Sequence, residues 1–155
     1  MAGKMRGFVL SELLVVLLIL SVLAVAAYPG VEAYVRRARL YEAQQAMMLN
    51  MRHLEQHYMQ RFSFKKNRRE WADLPVAQTK HFCIRMQGNP ASTNKYDDSY
   101  TMKAVAFDRD REPRVLVVSQ DGRWRVCERS RSRCDDAGYF SNPNNQSGDS
   151  GCVAQ

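Results

Sequence analysis

The chain has 155 residues, of which 45% are hydrophobic and 25% are charged, and its formal net charge is +7. These residues are enough for one domain and an anchoring segment. The positive charge is uneven, because five arginines and a single glutamate lie between residues 123 and 133. A local patch of this kind indicates a polyanionic partner more directly than the total charge does.

The first predicted element is an apolar helix. From Phe8 to Ala27 there are twenty residues whose only charged side chain is Glu12, and this length is sufficient to cross a bilayer as a helix. A secretory signal peptide is the alternative, because Ala24–Ala27 could provide a small-residue cleavage site. A carboxylate in hydrocarbon is costly unless it is neutralised or paired, so Glu12 requires a partner.

The helical pattern continues beyond the apolar stretch. We expect a kink or a local melt at Pro29 and Gly30. After this point, apolar residues recur at steps of three and four and trace one face of a helix, while the opposite side is polar and charged. We therefore predict one helix of about fifty residues, with an apolar first half and an amphipathic second half. The apolar face consists of Leu40, Ala43, Met47, Met51, Leu54 and Tyr58.

Four short alternating runs follow the helix and predict β-strands. Residues 62–79 break the helical period and are predicted to form a connecting loop, and the residues after Cys134 also have a loop-like composition. Gly, Pro, Asn and Asp separate the runs, as is typical of an antiparallel meander, and "QDG" predicts a tight hairpin turn. A long helix on a four-stranded antiparallel sheet is an α+β fold. The runs are "HFCIRM", "SYTMKAVAF", "PRVLVVSQ" and "RWRVCE".

The four cysteines lie in the second half of the chain. An even number behind an export-type N-terminus indicates two disulfides formed in an oxidising compartment. Of the three possible pairings we predict Cys83–Cys127, because both side chains project from the outward face of their strands. The second bond, Cys134–Cys152, then closes the C-terminal loop. Zinc is the alternative, but the sequence contains no C-x-x-C pair.

No motif in the sequence indicates catalysis. His53 and His57 flank Glu55 in "HLEQH", but the order differs from H-E-x-x-H, so a polar helix surface is the better interpretation. The sequence also contains no nucleophile–base arrangement and no glycine loop for binding phosphate. We therefore predict no enzymatic activity, no catalytic residue, no metal ion and no cofactor.

The segment "KMRGFVLSE" resembles the processing site of type IV prepilins. It has a short basic leader, Gly7 before the cut, Phe8 as the N-methylated mature terminus, and Glu12 at the fifth mature position. Val9 departs from the threonine that is usual in this family. The resemblance implies that Glu12 neutralises the N-terminal amine of a neighbouring subunit, which agrees with the cost of an unpaired carboxylate in an apolar helix.

This resemblance also implies a domain organisation and a location. Residues 1–7 would be the leader peptide, residues 8–30 the transmembrane and filament-core helix, and residues 31–155 the soluble globular domain of a type IV pilin fold. The implied partners are the prepilin peptidase, the inner membrane before assembly, and other pilin subunits in the pilus. The globular domain would be periplasmic before assembly and exposed on the pilus fibre afterwards.

The second half of the chain resembles the ComP family, the competence minor pilins of the Neisseria type. The resemblance is carried by "FKKNRREWADLP", "FCIR", "TMKAVAFDRDREP" and "YF" before a final cysteine. It implies a receptor for the DNA uptake sequence of that genus, with double-stranded DNA as the partner during natural transformation. Two alternatives have the same fold without DNA binding: a minor pilin for adhesion or aggregation, and a structural pilin or pseudopilin.

Binding of DNA requires cations on one exposed face, because phosphate contacts supply most of the affinity. Strand alternation places Arg85, Lys103 and Arg125 on the face away from the helix, and we predict them as the centre of a basic strip. The edges of the strip, with a further cation on the third strand, are predicted as Lys95, Arg129, Arg131, Arg133 and Arg114. Hydrogen bonds to bases or phosphates are predicted from Ser92, Thr93 and Asn94.

Overall fold

A computed structural model of the chain describes residues 10–91, 95–135, 140 and 148–155. These residues form two compact units that divide between Ala38 and Arg39. One long helix is followed by a small hairpin, a short helix and a five-stranded sheet. The bounds are α1 Leu10–Arg61, β1 Lys65–Asn67, β2 Glu70–Trp71, β3 Phe82–Met86, α2 Lys95–Asp98, β4 Thr101–Ala106, β5 Val115–Ser119, β6 Trp124–Arg129 and β7 Ser150–Ala154.

The first unit consists of the apolar part of α1. This part has a mean hydropathy of 2.7 over its most apolar window, so by length and composition it can cross a membrane. The chain is helical through Pro29 and Gly30, and the local melt expected there is therefore not observed. Pro29 removes one backbone donor, but in an apolar segment the remaining backbone groups have no better partners than those within the helix.

The second unit begins with the amphipathic part of α1. Ala43, Met47 and Leu54 are completely buried, and Leu40, Met51 and Tyr58 pack against the same core. This agrees with the apolar face predicted from the spacing. Asn50 is also completely buried on this face. Its amide donates to Val76 O at 2.8 Å and accepts from Val76 N at 2.9 Å, which fastens α1 to the loop before β3.

The sheet has the order β3-β4-β5-β6-β7, and every neighbouring pair is antiparallel. The first four strands are those predicted from the alternating runs. Gly122, with a φ of 76°, closes the predicted hairpin between β5 and β6 and donates its N–H to Ser119 O at 2.9 Å. A fifth strand, β7, comes from the C-terminal segment that was predicted as a loop, and the hairpin of β1 and β2 comes from the predicted connecting loop.

Both faces of the sheet carry a buried apolar cluster. The face toward α1 carries Phe82, Ile84, Met86, Met102, Ala104, Ala106, Leu116 and Val118, as the alternation predicts. The opposite face has a smaller apolar cluster composed of Cys83, Val105, Val115, Val117, Cys127 and Phe140. The second face is therefore partly covered by the chain itself, which limits the surface available to a ligand there.

Both disulfides differ from the predicted pairing. The structure joins Cys83 to Cys134 and Cys127 to Cys152. The prediction of Cys83–Cys127 and Cys134–Cys152 is wrong because β3 and β6 are separated by two strands. Three strand spacings amount to roughly 14 Å, far beyond the reach of a disulfide. Cys127 instead lies directly opposite Cys152 in the register of β6 and β7.

Candidate nucleic-acid interface

The predicted basic strip corresponds to one row of residues across the sheet. Arg85 lies opposite Lys103, Lys103 opposite Val117, and Val117 opposite Arg125. The shared face was therefore predicted correctly, and Arg85 and Arg125 are exposed. Lys103, however, has no exposed surface, so its predicted place at the centre of an exposed strip is wrong.

Lys103 is buried beneath two segments that follow it in the chain. Its Nζ donates to Ser132 Oγ at 3.1 Å and to Asp149 Oδ2 at 2.5 Å. Burial lowers the pKa of the Lys103 ammonium, and the Asp149 carboxylate offsets part of this effect. A phosphate group cannot reach this ammonium in the structure, and the strip is interrupted between Arg85 and Arg125.

The run "RSRSR" at residues 129–133, which we call the arginine segment, presents its arginines to solvent. Arg129, Arg131 and Arg133 are exposed, whereas Ser130 is half-buried and Ser132 is completely buried. The two serines therefore face the protein, and the three guanidinium groups project from one stretch of chain. Such an arrangement can bind several phosphates along one polyanion.

Arg109 binds the backbone of the arginine segment at Ser130. Its Nη2 donates to Ser130 O at 2.7 Å, and the side chain is half-buried. Burial lowers the pKa of the Arg109 guanidinium, while the carboxylates of Asp149 and Glu112 act in the opposite direction. Arg109 was not among the predicted cations, because it lies in a charged loop where acidic residues are as frequent as basic ones.

A groove of about 740 Å³ runs beside the arginine segment. Phe107 lines it with an aromatic ring that is 51% exposed, a type of surface on which a base or sugar can pack. Asp108 also lines the groove, but it is paired with Arg111 at 3.4 Å. The remaining lining residues are Arg109, Asp110, Ser130, Arg131 and Arg133.

Two other predicted cations already have protein partners. Arg114 makes two hydrogen bonds to the carboxylate of Glu112, at 2.7 and 2.6 Å, and this pairing raises the pKa of Arg114. Arg133 pairs with Asp135 at 3.1 Å, although its side chain is 66% exposed. The charge of Arg114 is therefore balanced in a half-buried site, whereas that of Arg133 stays accessible to solvent.

Arg85 is also held by the protein. Its Nη2 donates to Cys134 O at 2.7 Å, and its guanidinium lies 5.5 Å from the centre of the Phe140 ring. The side chain of Lys95 and residues Ser92, Thr93 and Asn94 lie outside the part of the chain that the structure describes. The processing residues Gly7 and Phe8 also lie outside it, while Glu12 is in the first turn of α1.

A second basic region lies in the segment predicted as a connecting loop and was not among the predicted sites. The hairpin of β1 and β2 carries Arg68 and Arg69 at its exposed turn. Lys65 pairs with Asp97 at 3.3 Å and Lys66 with Asp73 at 2.9 Å, so these two lysines are partly neutralised. The run "KKNRR" indicates a cluster of cations in the sequence, but it lacks the alternation of apolar and polar residues that predicts a strand.

The described residues contain no group of three or more His, Cys, Asp or Glu side chains that could hold a metal ion. The ring of His57 is used locally, since its Nε2 lies 3.1 Å from Lys65 O.

Comparison with known families gives a specific match. The sequence model of a family described as "Type IV minor pilin ComP, DNA uptake sequence receptor" matches residues 29–114, which is more than half of the chain. The chain belongs to the ComP family of type IV minor pilins. The match ends before β5, so the arginine segment lies outside it.

Solved structures similar to the chain include one, from Neisseria subflava, that supports the assignment to the ComP family. The minor DNA-uptake pilin ComP from Neisseria subflava is 34% identical, with a TM-score of 0.58, over 76% of this chain and 95% of that one. ComP from Neisseria meningitidis is 28% identical over 72% of this chain and 89% of that one, with a TM-score of 0.45. The non-core minor pilin PilV from the same species is 21% identical, with a TM-score of 0.51, over 66% of this chain and 98% of that one. The chain therefore has the α+β type IV pilin fold. No curated protein matches the chain.

Proposed function

We propose that this minor pilin binds extracellular double-stranded DNA through the arginine segment during natural transformation. The observation that carries the proposal is the outward projection of Arg129, Arg131 and Arg133 from a segment whose serines face the protein. The family description names a DNA uptake sequence receptor, and the similar protein from Neisseria subflava is named a DNA-uptake pilin. Both names agree with this chemistry.

The surroundings of the arginine segment favour a phosphate backbone as the ligand. Guanidinium groups bind phosphate oxygens with two parallel hydrogen bonds. Two of the nearby carboxylates are paired with arginines, Asp108 with Arg111 and Asp135 with Arg133. Arg125 and Arg85 lie on the same face of the sheet and extend the basic surface on either side. We therefore expect DNA to lie across this face, with the arginine segment at its centre.

The test is a salt titration of DNA binding by the full chain in detergent, with Arg129→Ala and Arg131→Ala combined. Each lost phosphate contact should reduce the slope of log K against log salt by about 0.9, so the double variant should lose about 1.8. Arg52→Ala is the matched control, because Arg52 is an exposed arginine on α1, across the sheet from the arginine segment. Its slope should equal that of the parent chain.

Competition with duplexes of different sequence separates two kinds of contact. Loss of a phosphate contact should weaken binding to all duplexes equally, whereas loss of a guanine contact should cost about 1–3 kcal/mol and reduce discrimination between sequences. A folded double variant with unchanged affinity and unchanged salt slope would show that the arginine segment does not bind DNA.

We also propose the assembly route that the N-terminal sequence implies. Residues 1–7 are removed by the prepilin peptidase, residues 8–30 anchor the chain in the inner membrane and later in the filament core, and residues 31–155 form the globular domain. The apolar character of the first unit supports this proposal. The globular domain is then periplasmic before assembly and lies on the fibre surface afterwards.

A further inference from the structure

We propose that Lys103 is a positioning residue that holds the arginine segment in its outward-facing arrangement; this rests on the proposed DNA-binding function. Lys103 lies on β4, and its Nζ donates both to Ser132 Oγ, within the arginine segment, and to Asp149 Oδ2, directly before β7. One ammonium group therefore ties together three parts of the chain that are distant in sequence.

The link to Ser132 fixes the direction of its neighbours. Ser132 is completely buried, and its N–H donates to Ser130 Oγ at 3.1 Å. Because the serines are held against Lys103 and Arg109, the side chains of Arg131 and Arg133 point to solvent. Without the link from Lys103 to Ser132, the segment would lose the contact that holds Ser132 inward and so sets this alternation.

The link to Asp149 affects Arg131 through Gly148, the residue before Asp149, which lies against the Arg131 side chain. Asp149 follows Gly148, and a Cβ atom added at Gly148 would lie 2.7 Å from Arg131 Cγ. Gly148 also has a φ of +60°, which a residue with a side chain adopts only with strain. The aliphatic part of Arg131 therefore packs closely on the backbone that Asp149 anchors, and Lys103 supports Arg131 through both of its partners.

Stability alone does not explain a lysine at this position. Removing an ammonium from water is costly, and apolar residues of similar volume often replace buried ion pairs without loss of stability. Direct contact with phosphate does not explain it either, because Lys103 has no exposed surface. Positioning of the arginine segment accounts for both the burial of Lys103 and its two hydrogen bonds.

The test compares Lys103→Met with Lys66→Met in the full chain in detergent. Lys66 is the matched control, since it is an exposed lysine that is also paired with an aspartate but lies on β1. In Lys103→Met we expect faster amide hydrogen exchange at residues 130–134. Affinity for a double-stranded DNA probe should fall by a factor of about 10, within the range for coupled neighbouring residues. Lys66→Met should leave exchange at residues 130–134 unchanged.

A double-mutant cycle with Arg131→Ala separates positioning from direct contact. If Lys103 acts through Arg131, the combined loss of affinity should be smaller than the product of the two separate factors. A loss equal to the product, with a further decrease in salt slope, would identify Lys103 as a phosphate contact and overturn the proposal. Unchanged exchange and affinity in Lys103→Met would overturn it as well.

Ser132→Ala provides a second variant that keeps the Lys103–Asp149 pair and removes only the link to the arginine segment. It should increase exchange at residues 130–134 and weaken DNA binding in the same direction as Lys103→Met. If the parent chain binds no DNA, the proposed function fails. The exchange rates then still decide whether Lys103 holds the segment, so the two failures are distinguishable.

Discussion

Tyr100 and Lys103 both carry a polar group into the interior, with different outcomes. Lys103 has two partners for its ammonium. The hydroxyl of Tyr100 is buried and has no hydrogen-bond partner within the part of the chain that the structure describes. The Tyr100 ring packs edge-on against the Phe64 ring, and the two ring centres are 4.8 Å apart. Tyr100 therefore contributes to the core through its ring, while its hydroxyl opposes burial.

We predict that Tyr100→Phe does not lower the free energy of unfolding and raises it by at most about 1 kcal/mol. The substitution keeps the ring and removes a buried polar group that lacks a partner. Urea unfolding of the parent and the variant measures the difference. Tyr58→Phe is the control, because the Tyr58 hydroxyl donates to Asp98 at 3.3 Å and its removal should be neutral or mildly destabilising. A clear loss of stability in Tyr100→Phe would contradict the prediction.

The same residue gives the chain a dependence on alkaline pH. Burial raises the pKa of Tyr100 to about 12, and the charge of Glu55 adds to this effect. The folded state therefore keeps the phenol neutral at pH values where the unfolded state, with its pKa near 10, has lost the proton. Stability should decrease as the pH rises from 10 toward 12, because the folded state then binds more protons than the unfolded state. Tyr100→Phe should reduce that decrease, and its tyrosinate absorbance should lack one ionisation near pH 12.

The strands show what alternation in a sequence can predict. In β3, Phe82, Ile84 and Met86 face α1, while Cys83 and Arg85 face away, as their positions in the run indicate. The prediction missed β7 because "SGCVA" has little alternation and begins with small residues, so its pairing depends on β6 and on the bond to Cys127. Alternation gives the face of each residue, whereas strand order and covering loops are set by tertiary contacts.

The pairing of the cysteines can be tested by peptide mapping without reduction. Trypsin can cut at the arginines between Cys127 and Cys134, which places these two cysteines on separate peptides. We expect one linked pair containing Cys83 and Cys134 and another containing Cys127 and Cys152. The second bond fixes β7 to β6, and in the chain-entropy model each bond contributes about 3 to 4 kcal/mol. A peptide that joins Cys83 to Cys127 would show that the strand order is wrong.

The candidate site was predictable only in part. Arg85, Lys103 and Arg125 do lie on one face of the sheet, and the run of arginines was visible in the sequence. The burial of Lys103 was not predictable, because its cover comes from Ser132 and Asp149, which lie 29 and 46 residues away in the chain. Strand alternation gives the same prediction for an exposed cation and for a cation that a distant loop covers, because it indicates only the face of the sheet.

The proposed assembly route assigns processing and entry into the filament to the N-terminal segment. We predict that Gly7→Ser blocks removal of residues 1–7 and that the mature parent chain begins at Phe8. Glu12→Val should still be processed but should fail to enter filaments, because it removes the carboxylate expected to pair with a neighbouring amine. Intact-mass analysis of membrane and pilus fractions measures both results. Assembled protein that retains residues 1–7, or normal incorporation of Glu12→Val, would contradict this route.

The two disulfides interleave along the chain, since Cys127 lies between Cys83 and Cys134 while Cys152 lies beyond them. A protease that cleaves the backbone once at any point between Cys83 and Cys152 therefore cannot release a fragment. A cut before Cys134 is bridged by the first bond, and a cut after Cys127 is bridged by the second. With the pairing predicted from the sequence, one cut among the arginines between Cys127 and Cys134 would have separated the chain into two pieces. The basic surface, whose arginines are natural sites for trypsin-like proteases, is thus the region that both bonds span.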